Sequence, residues 1–334
     1  MDGLLLSIAM PSYNVERYLR RGLDSFDDPR LEGKVELLIV DDGSTDSTAS
    51  IAMEYMQRNP QAFRLISKEN GGHGSAVNAG LKNAQGKYFR IVDGDDWVDT
   101  DALVELLGVL EQVDVDIVVD RRTEVDMVSG NTTSEPFPER LLQRRGLDFA
   151  DICQDDELCD LLTIHGMSIK TLLLKHEGVR LLEKTFYVDY EFIAKASLHA
   201  ESICFVDLGV YQYLVGNPNQ SVADDSYAKR WGDHERVLWE MLRFYSQEAG
   251  SLDESRRYYL QHKVDLLVNT HYNIALIFDK DRKRGKVRAK EFRSALRERY
   301  PEFAERGERR YKLASVLHLL GVDSQARLDK LTGK

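Results

Sequence analysis

The sequence predicts an α/β fold: a mostly parallel central sheet flanked by helices, with a helical C-terminal extension. Over the first hundred or so residues, β-branched and aromatic runs alternate with stretches whose apolar positions recur at helical spacing. The strand-like runs end in turns rich in Asp, Asn and Gly, at the position where open α/β sheets gather ligands. Beyond about Asp224 only the helical period remains.

The first strand is expected over Leu4–Met10, and Pro11-Ser12-Tyr13-Asn14 turns the chain into a helix with Val15, Leu19 and Leu23 on its apolar face. A second strand, Val35–Val40, ends in Asp41 and Asp42. Gly43-Ser44-Thr45-Asp46-Ser47 then opens a helix to about Arg58, capped by Ser44 or Ser47. A third strand over Phe63–Ser67 leads into Lys68-Glu69-Asn70-Gly71-Gly72-His73-Gly74-Ser75, a glycine-rich turn before a helix containing Asn78, Gly80 and Leu81. The fourth strand, from Tyr88, discharges into Asp93-Gly94-Asp95-Asp96-Trp97, and Asp99 or Thr100 caps the next helix.

Three carboxylates so close together repel one another, and a divalent cation among them is the simplest remedy. Their hard oxygens suit Mg2+ or Mn2+ beside substrate phosphates. Taken alone, the turn reads equally well as a solvated acidic cap. The three strand ends together favour a nucleotide diphosphate with its cation: Tyr13 can cover a base, Asp42 can accept from a base or ribose donor, and the Asp93–Asp96 cluster can hold the metal. Lys68 reads as a phosphate contact or a surface charge.

In order and spacing, Pro11-Ser12-Tyr13-Asn14, Val40 to Asp46, Asn70 to Gly80 and Asp93-Gly94-Asp95-Asp96 closely resemble the amino-terminal half of family 2 glycosyltransferases of the GT-A fold. The resemblance covers about residues 4–110. It implies a base contact at Asp42, ribose or sugar contacts at Asp93 and Asp95, and metal contact at Asp95 or Asp96. Pro11, Tyr13, Asn14, Lys68 and Asn78 complete the donor-binding set. It further implies an inverting transferase that moves a sugar from a nucleotide-diphosphate sugar, UDP-linked first of all, to a hydroxyl on a carbohydrate or lipid-linked acceptor, in cell-surface polysaccharide or glycolipid synthesis.

The second half is less explicit. Asp116–Asp120 reads as a strand, Arg121 to Pro138 as a hairpin or loop, and residues 147–163 as one acidic helix. Inversion needs a base for the acceptor hydroxyl. Asp189, at the start of a partly apolar helix, matches the base of the resembled family, although Val188 stands where a glutamate is usual. His165 and Lys170 are candidates for acceptor or phosphate contact, His73 reads as structural or exposed, Gln220 and Ser221 as part of a loop over the diphosphate, and His234 as a helix-face residue first and a metal contact second. Ser202–Val206 and Val210–Leu214 are further strands. Helices follow, the last with an apolar face of Leu313, Val316, Leu317 and Leu320.

The formal charge of −11 excludes general nucleic-acid binding, since no overall positive field is available to displace counterions. It is unevenly spread: Lys280–Lys312 holds 14 basic against 6 acidic residues, a balance of +8. This segment reads first as a solvated helical face and second as a surface for peripheral contact with anionic lipid. Cys153, Cys159 and Cys204 have no zinc spacing and suit a reducing compartment. The expected organisation is a catalytic domain over 1–222, with a donor half to about 115 and an acceptor half over 116–222, and a helical region over 223–334. The expected location is cytoplasmic, with the inner membrane face as the site of any peripheral contact.

An aspartyl phosphotransferase would place its carboxylate pair after the first strand, and a sugar-nucleotide pyrophosphorylase would have a long basic glycine loop there. Neither is present. A protein that binds the donor without catalysis is the remaining alternative.

Overall fold

The computed structural model describes residues 3–142, 146–216 and 224–332. The chain divides into two compact units, Met1–Lys184 with Glu191–Asn217, and Thr185–Tyr190 with Pro218–Lys334.

The first unit opens with β1 (Leu6–Ser12), α1 (Glu16–Asp24), β2 (Val35–Asp41), α2 (Thr48–Arg58), β3 (Phe63–Ser67), α3 (His73–Asn83) and β4 (Tyr88–Ile91). β1, β2 and β4 are buried along their whole length, as parallel strands covered on both faces must be, so their sequences run apolar without alternation. β1 starts and ends two residues later than the sequence suggests. Its bounds follow from pairing with β2, Leu6 opposite Val35 and Ser12 opposite Asp41. Pro11 stays in the strand because only its carbonyl is needed: it accepts from the Gly94 amide at 3.0 Å. Neither serine caps α2. Asp46 Oδ1 accepts from the Thr48 amide at 2.9 Å, and Ser44 Oγ is taken by the Asn14 amide.

The unit continues through β5 (Trp97–Val98), α4 (Thr100–Gln112), β6 (Ile117–Val119), β7 (Arg122–Asp126), β8 (Thr132–Thr133), α5 (Glu139–Leu142), β9 (Leu147–Asp148), α6 (Phe149–Cys153), α7 (Asp156–Asp160), β10 (Met167–Lys170) and α8 (Thr171–His176). Asp99 caps α4, accepting from the Ala102 amide. The single helix expected over 147–163 is two short helices, because Asp155 leaves the helical path to cap α7 through the Glu157 and Leu158 amides. α9 (Val188–Ser197) opens in the second unit and continues in the first, which closes with β11 (Ser202–Phe205) and β12 (Tyr211–Val215).

The main sheet has eight strands in the order β3-β2-β1-β4-β10-β6-β11-β9. β3, β2, β1 and β4 are parallel, and β10 enters antiparallel between β4 and β6. A second sheet of four strands, β5-β12-β7-β8, carries the chain from Trp97 back against the 122–133 hairpin.

The second unit is helical: α10 (Asp224–Lys229), α11 (Trp231–Glu248), α12 (Glu254–Asn273), the π-helical turn Ile274–Phe278, α13 (Arg282–Arg299), α14 (Pro301–Leu319) and α15 (Gln325–Thr332). Its core is built by Val237, Leu238 and Met241 of α11, Leu260, Val264 and Leu267 of α12, and Phe292 and Phe303. The apolar face expected for α14 is a correction. Leu317 is buried, whereas Leu313, Val316 and Leu320 face outward and Ala304, Gly307 and Ala314 make the contact instead. Small residues let a neighbouring helix approach closely, so size decides which stripe is buried here. No described helix is long and apolar enough to cross a membrane.

Candidate active site

The carboxyl ends of β1, β2 and β4 are neighbours in the sheet, so residues far apart in sequence meet there. At the end of β1, Asn14 takes a left-handed conformation (φ 53°) because its side chain holds the turn: Oδ1 accepts from the Thr45 amide at 2.8 Å, and its own amide donates to Ser44 Oγ at 3.1 Å. Pro11 is buried beside it, and Tyr13 is half exposed. At the end of β2, Asp42 is buried and organises the glycine-rich turn. Its Oδ1 accepts from Lys68 Nζ at 2.6 Å and the Gly71 amide at 2.9 Å, and Oδ2 from the Gly72 amide at 2.7 Å. Gly72 sits at φ 82°, which the tight wrap around this carboxylate requires. A carboxylate offers about four lone-pair sites. Three are used, leaving one on Oδ2.

At the end of β4, Gly94 is held against β1, where a Cβ would lie 2.7 Å from Ser12 Oγ. Only glycine fits, and the aspartates on either side are fixed as a result. Asp93 Oδ1 meets His73 Nε2 at 2.8 Å. Asp96 is buried with both oxygens engaged: the Tyr211 hydroxyl donates to Oδ2 at 2.5 Å and the Leu214 amide to Oδ1 at 2.8 Å. Tyr211 also accepts from the Asp93 amide at 3.3 Å, so one phenol holds both ends of the turn.

The electrostatics differ sharply along the cluster. Burial opposes ionisation of Asp93, but the facing His73 outweighs it and keeps that carboxyl below its usual range. Burial, with the Asp93 charge added, raises Asp95 to about 6. Asp96, buried beside Asp95 and Asp93, is pushed up to about 8 despite its two donors. Asp93, Asp95 and Asp96 each offer an oxygen within 4.8 Å of the others. This set of hard donors, short of positive charge, fits a divalent cation of the Mg2+ or Mn2+ kind.

Beside the cluster, the His165 ring lies tilted against Tyr211 at 4.4 Å between centroids. Arg90 is fully buried in a bidentate pair with Asp120, and its Nη2 also donates to the His165 carbonyl at 2.6 Å. Sequence reasoning missed Tyr211, Arg90 and Asp120. The one signal available was a charge inside an otherwise apolar strand, at Arg90.

The remaining candidates fall elsewhere. Asn78 clips α3 to the segment before α9, accepting from the Leu181 amide at 2.9 Å and donating to its carbonyl at 3.0 Å. Lys170 lies opposite Tyr88, at the far end of β4 from the aspartates, and pairs with Asp116 and Asp114. It is not part of this cluster. His234 belongs to the core of the second unit, stacked on His271. Asp189 is half buried in the first turn of α9, within the second unit, two residues after Tyr187, whose φ of 67° is rare for a non-glycine residue. Gln220 and Ser221 lie outside the described residues.

Comparison with known proteins decides the family. The model described as glycosyl transferase family 2 matches residues 7–160. The uncharacterized glycosyltransferase EpsJ of Bacillus subtilis is 30% identical over 279 residues, covering 79% of this chain and 77% of that protein. The chain belongs to glycosyl transferase family 2. This glycosyltransferase also shares its architecture with solved structures. S. aureus TarS 1–349, in complex with UDP-GlcNAc, aligns with a TM-score of 0.59 at 19% identity, covering 96% of this chain and 93% of that one. The mannosyltransferase PcManGT of Pyrobaculum calidifontis, in complex with GDP-Man and Mn2+, aligns with a TM-score of 0.53 at 17% identity, covering 95% and 87%. At these identities the likeness is one of fold, and the fold is GT-A. The resemblance seen over residues 4–110 thus extends to the family, the enzyme class and the architecture.

Proposed function

We propose that this family 2 glycosyltransferase carries out inverting transfer of a sugar from a nucleotide-diphosphate sugar, a UDP-sugar first of all, to a hydroxyl of a carbohydrate or lipid-linked acceptor, in cell-surface polysaccharide or glycolipid synthesis. The observation that carries this reading is the convergence of Asn14, Asp42 and the Asp93–Asp96 turn at three adjacent strand ends. The complexes of two structural neighbours with UDP-GlcNAc and GDP-Man support a nucleotide-sugar donor.

In this scheme Tyr13, exposed beside Pro11 and Asn14, covers the base, and the free lone pair of Asp42 accepts from a base or ribose donor. Lys68 holds Asp42 in place and offers its charge toward the diphosphate. Asp93, kept ionised by His73, accepts from a ribose hydroxyl. Asp95, partly buried, is the principal metal ligand, and Asp96 is held by Tyr211 and Leu214 where its charge adds to the site. Mg2+ or Mn2+ bound there would take up the charge that develops on the leaving diphosphate. Asp189 removes the acceptor proton as the hydroxyl attacks. Peripheral membrane contact belongs to the basic segment 280–312.

Titration calorimetry of UDP, GDP and dTDP, each with Mn2+ and with EDTA, tests the donor site. One nucleotide should bind tightly, and the binding should disappear with EDTA and in Asp95→Ala. Binding by none of them in the folded protein refutes the proposal. Asp189→Asn should keep nucleotide binding and lower turnover by about 10²-fold or more. Unchanged turnover would remove the base from Asp189.

A further inference from the structure

The second unit carries a surface that the donor site does not use. On α14, Val316, Leu319 and Leu320 are 53%, 77% and 73% exposed, with Leu313 beside them. Glu308 of α14 pairs with Arg293 and Arg297 of α13, which sets the two helices antiparallel and side by side. The first turns of α13 therefore flank the last turns of α14. There Lys283, Lys286, Val287 and Lys290 recur at the spacing of one helix face, and all four are exposed.

Local stability does not account for these lysines. The first turn of α13 contains Arg282, Lys283 and Arg284 and no acidic residue, although the helix macrodipole disfavours cations at that end. Nearby carboxylates are engaged elsewhere: Asp279 with Arg284 and Arg288, Asp225 with Lys280, Asp323 with Arg327, while Asp281 caps α13. Lys283, Lys286 and Lys290 have no ion pair among the described residues. The result is a cluster of exposed aliphatic side chains bordered by unpaired cations.

We propose that this face of α13 and α14 docks on an anionic lipid bilayer, with Leu313, Val316, Leu319 and Leu320 entering the headgroup boundary and Lys283, Lys286 and Lys290 meeting the lipid phosphates. Charge complementarity selects this occupant. A second copy of the same face would bring six lysines together, whereas a bilayer is negative throughout. Outside 280–312 the chain carries a formal charge of −19, so net attraction to an anionic membrane has to come from this basic stretch. The inference refines the peripheral contact proposed for 280–312 and concerns the second unit alone.

Co-sedimentation of the full chain with phosphatidylcholine vesicles, with and without phosphatidylglycerol, tests it. Binding should require phosphatidylglycerol and weaken with salt. The triple variant Lys283→Gln/Lys286→Gln/Lys290→Gln should bind roughly 100-fold more weakly. Leu319→Ser/Leu320→Ser, at exposed positions that leave the core intact, should lose about tenfold or more. The proposal is overturned if the parent chain ignores phosphatidylglycerol, if both variants bind as it does, or if light scattering shows a dimer that Leu319→Ser/Leu320→Ser dissociates. Nucleotide calorimetry on the same samples separates the two readings. Vesicle binding without nucleotide binding refutes the donor site and leaves the membrane face, and the opposite result does the reverse.

Discussion

Asp96 has the Tyr211 hydroxyl on one oxygen and the Leu214 amide on the other, while Asp95, one residue earlier, is only partly buried. Neighbouring carboxylates thereby differ: Asp96 anchors the turn, and Asp95 is the one proposed to meet the cation. Tyr211→Phe removes the donor from a buried oxygen and should cost about 1–3 kcal/mol of stability. Thermal melts and a Mn2+ titration check this, since the variant should also bind the metal more weakly. An unchanged Mn2+ affinity would limit Tyr211 to a packing role. Arg90 and Asp120 present the complementary case. Burial raises Asp120 to about 6 although Arg90 opposes it, so the pair is held by geometry in a costly environment. Arg90→Met leaves Asp120 buried without its cation and should destabilise by about 3–5 kcal/mol, read from denaturant midpoints. A loss below 1 kcal/mol would show that water or a proton replaces the arginine at little cost.

At the scale of elements, α11 and α12 meet through two buried imidazoles, His234 Nδ1 lying 3.1 Å from His271 Nδ1. One must donate and the other accept, and burial keeps both neutral. Burial lowers His234 to about 3, and burial with the neighbouring His234 takes His271 well below its usual value. The unfolded chain binds protons at these residues below about pH 6.5, and the folded chain does not. The histidines' contribution to stability is therefore level above pH 6.5 and falls as the pH drops, by about 1.4 kcal/mol per unit for each. Between pH 7 and pH 5 the melting temperature should decline relative to that of His234→Leu/His271→Leu, because the carboxyls raised by burial act equally in both. A decline of equal slope in that variant would place its origin elsewhere. The same scale explains the second sheet. β12 pairs with β5 immediately after Asp96, and so delivers Tyr211 and Leu214 to the aspartates.

At the scale of the whole molecule, the acidic cluster couples stability to pH, and under the proposed function to the cation. Asp95 and Asp96, raised to about 6 and about 8, hold protons in the folded chain that the unfolded chain has already released. Their contribution is greatest below about pH 4 and is lost as the pH rises through 6 to 8. A cation displaces those protons, so the stabilisation by Mn2+ should grow with pH. Melting temperatures with Mn2+ and with EDTA at pH 5.5 and 8 should differ more at the higher pH. An equal difference at both would mean that the cation does not compete with these protons.

By itself the sequence determined the strand and helix order of the first hundred residues, and with it the residues at the three strand ends. Local period and turn chemistry specify both, as the bounds of β3 and the Asp99 cap illustrate. Its motifs were sufficient to suggest the family. Tertiary structure alone decided what depends on partners distant in sequence. β10 is a strand because β4 and β6 flank it, Asp96 is enclosed because Tyr211 arrives from 115 residues away, and Lys170 is drawn to the opposite end of β4. It also shifted the buried face of α14, where Ala304, Gly307 and Ala314 join Leu317 in the contact while Leu313, Val316 and Leu320 are left to the surface. Periodicity records that a face is apolar, but only packing determines which of two such faces is buried.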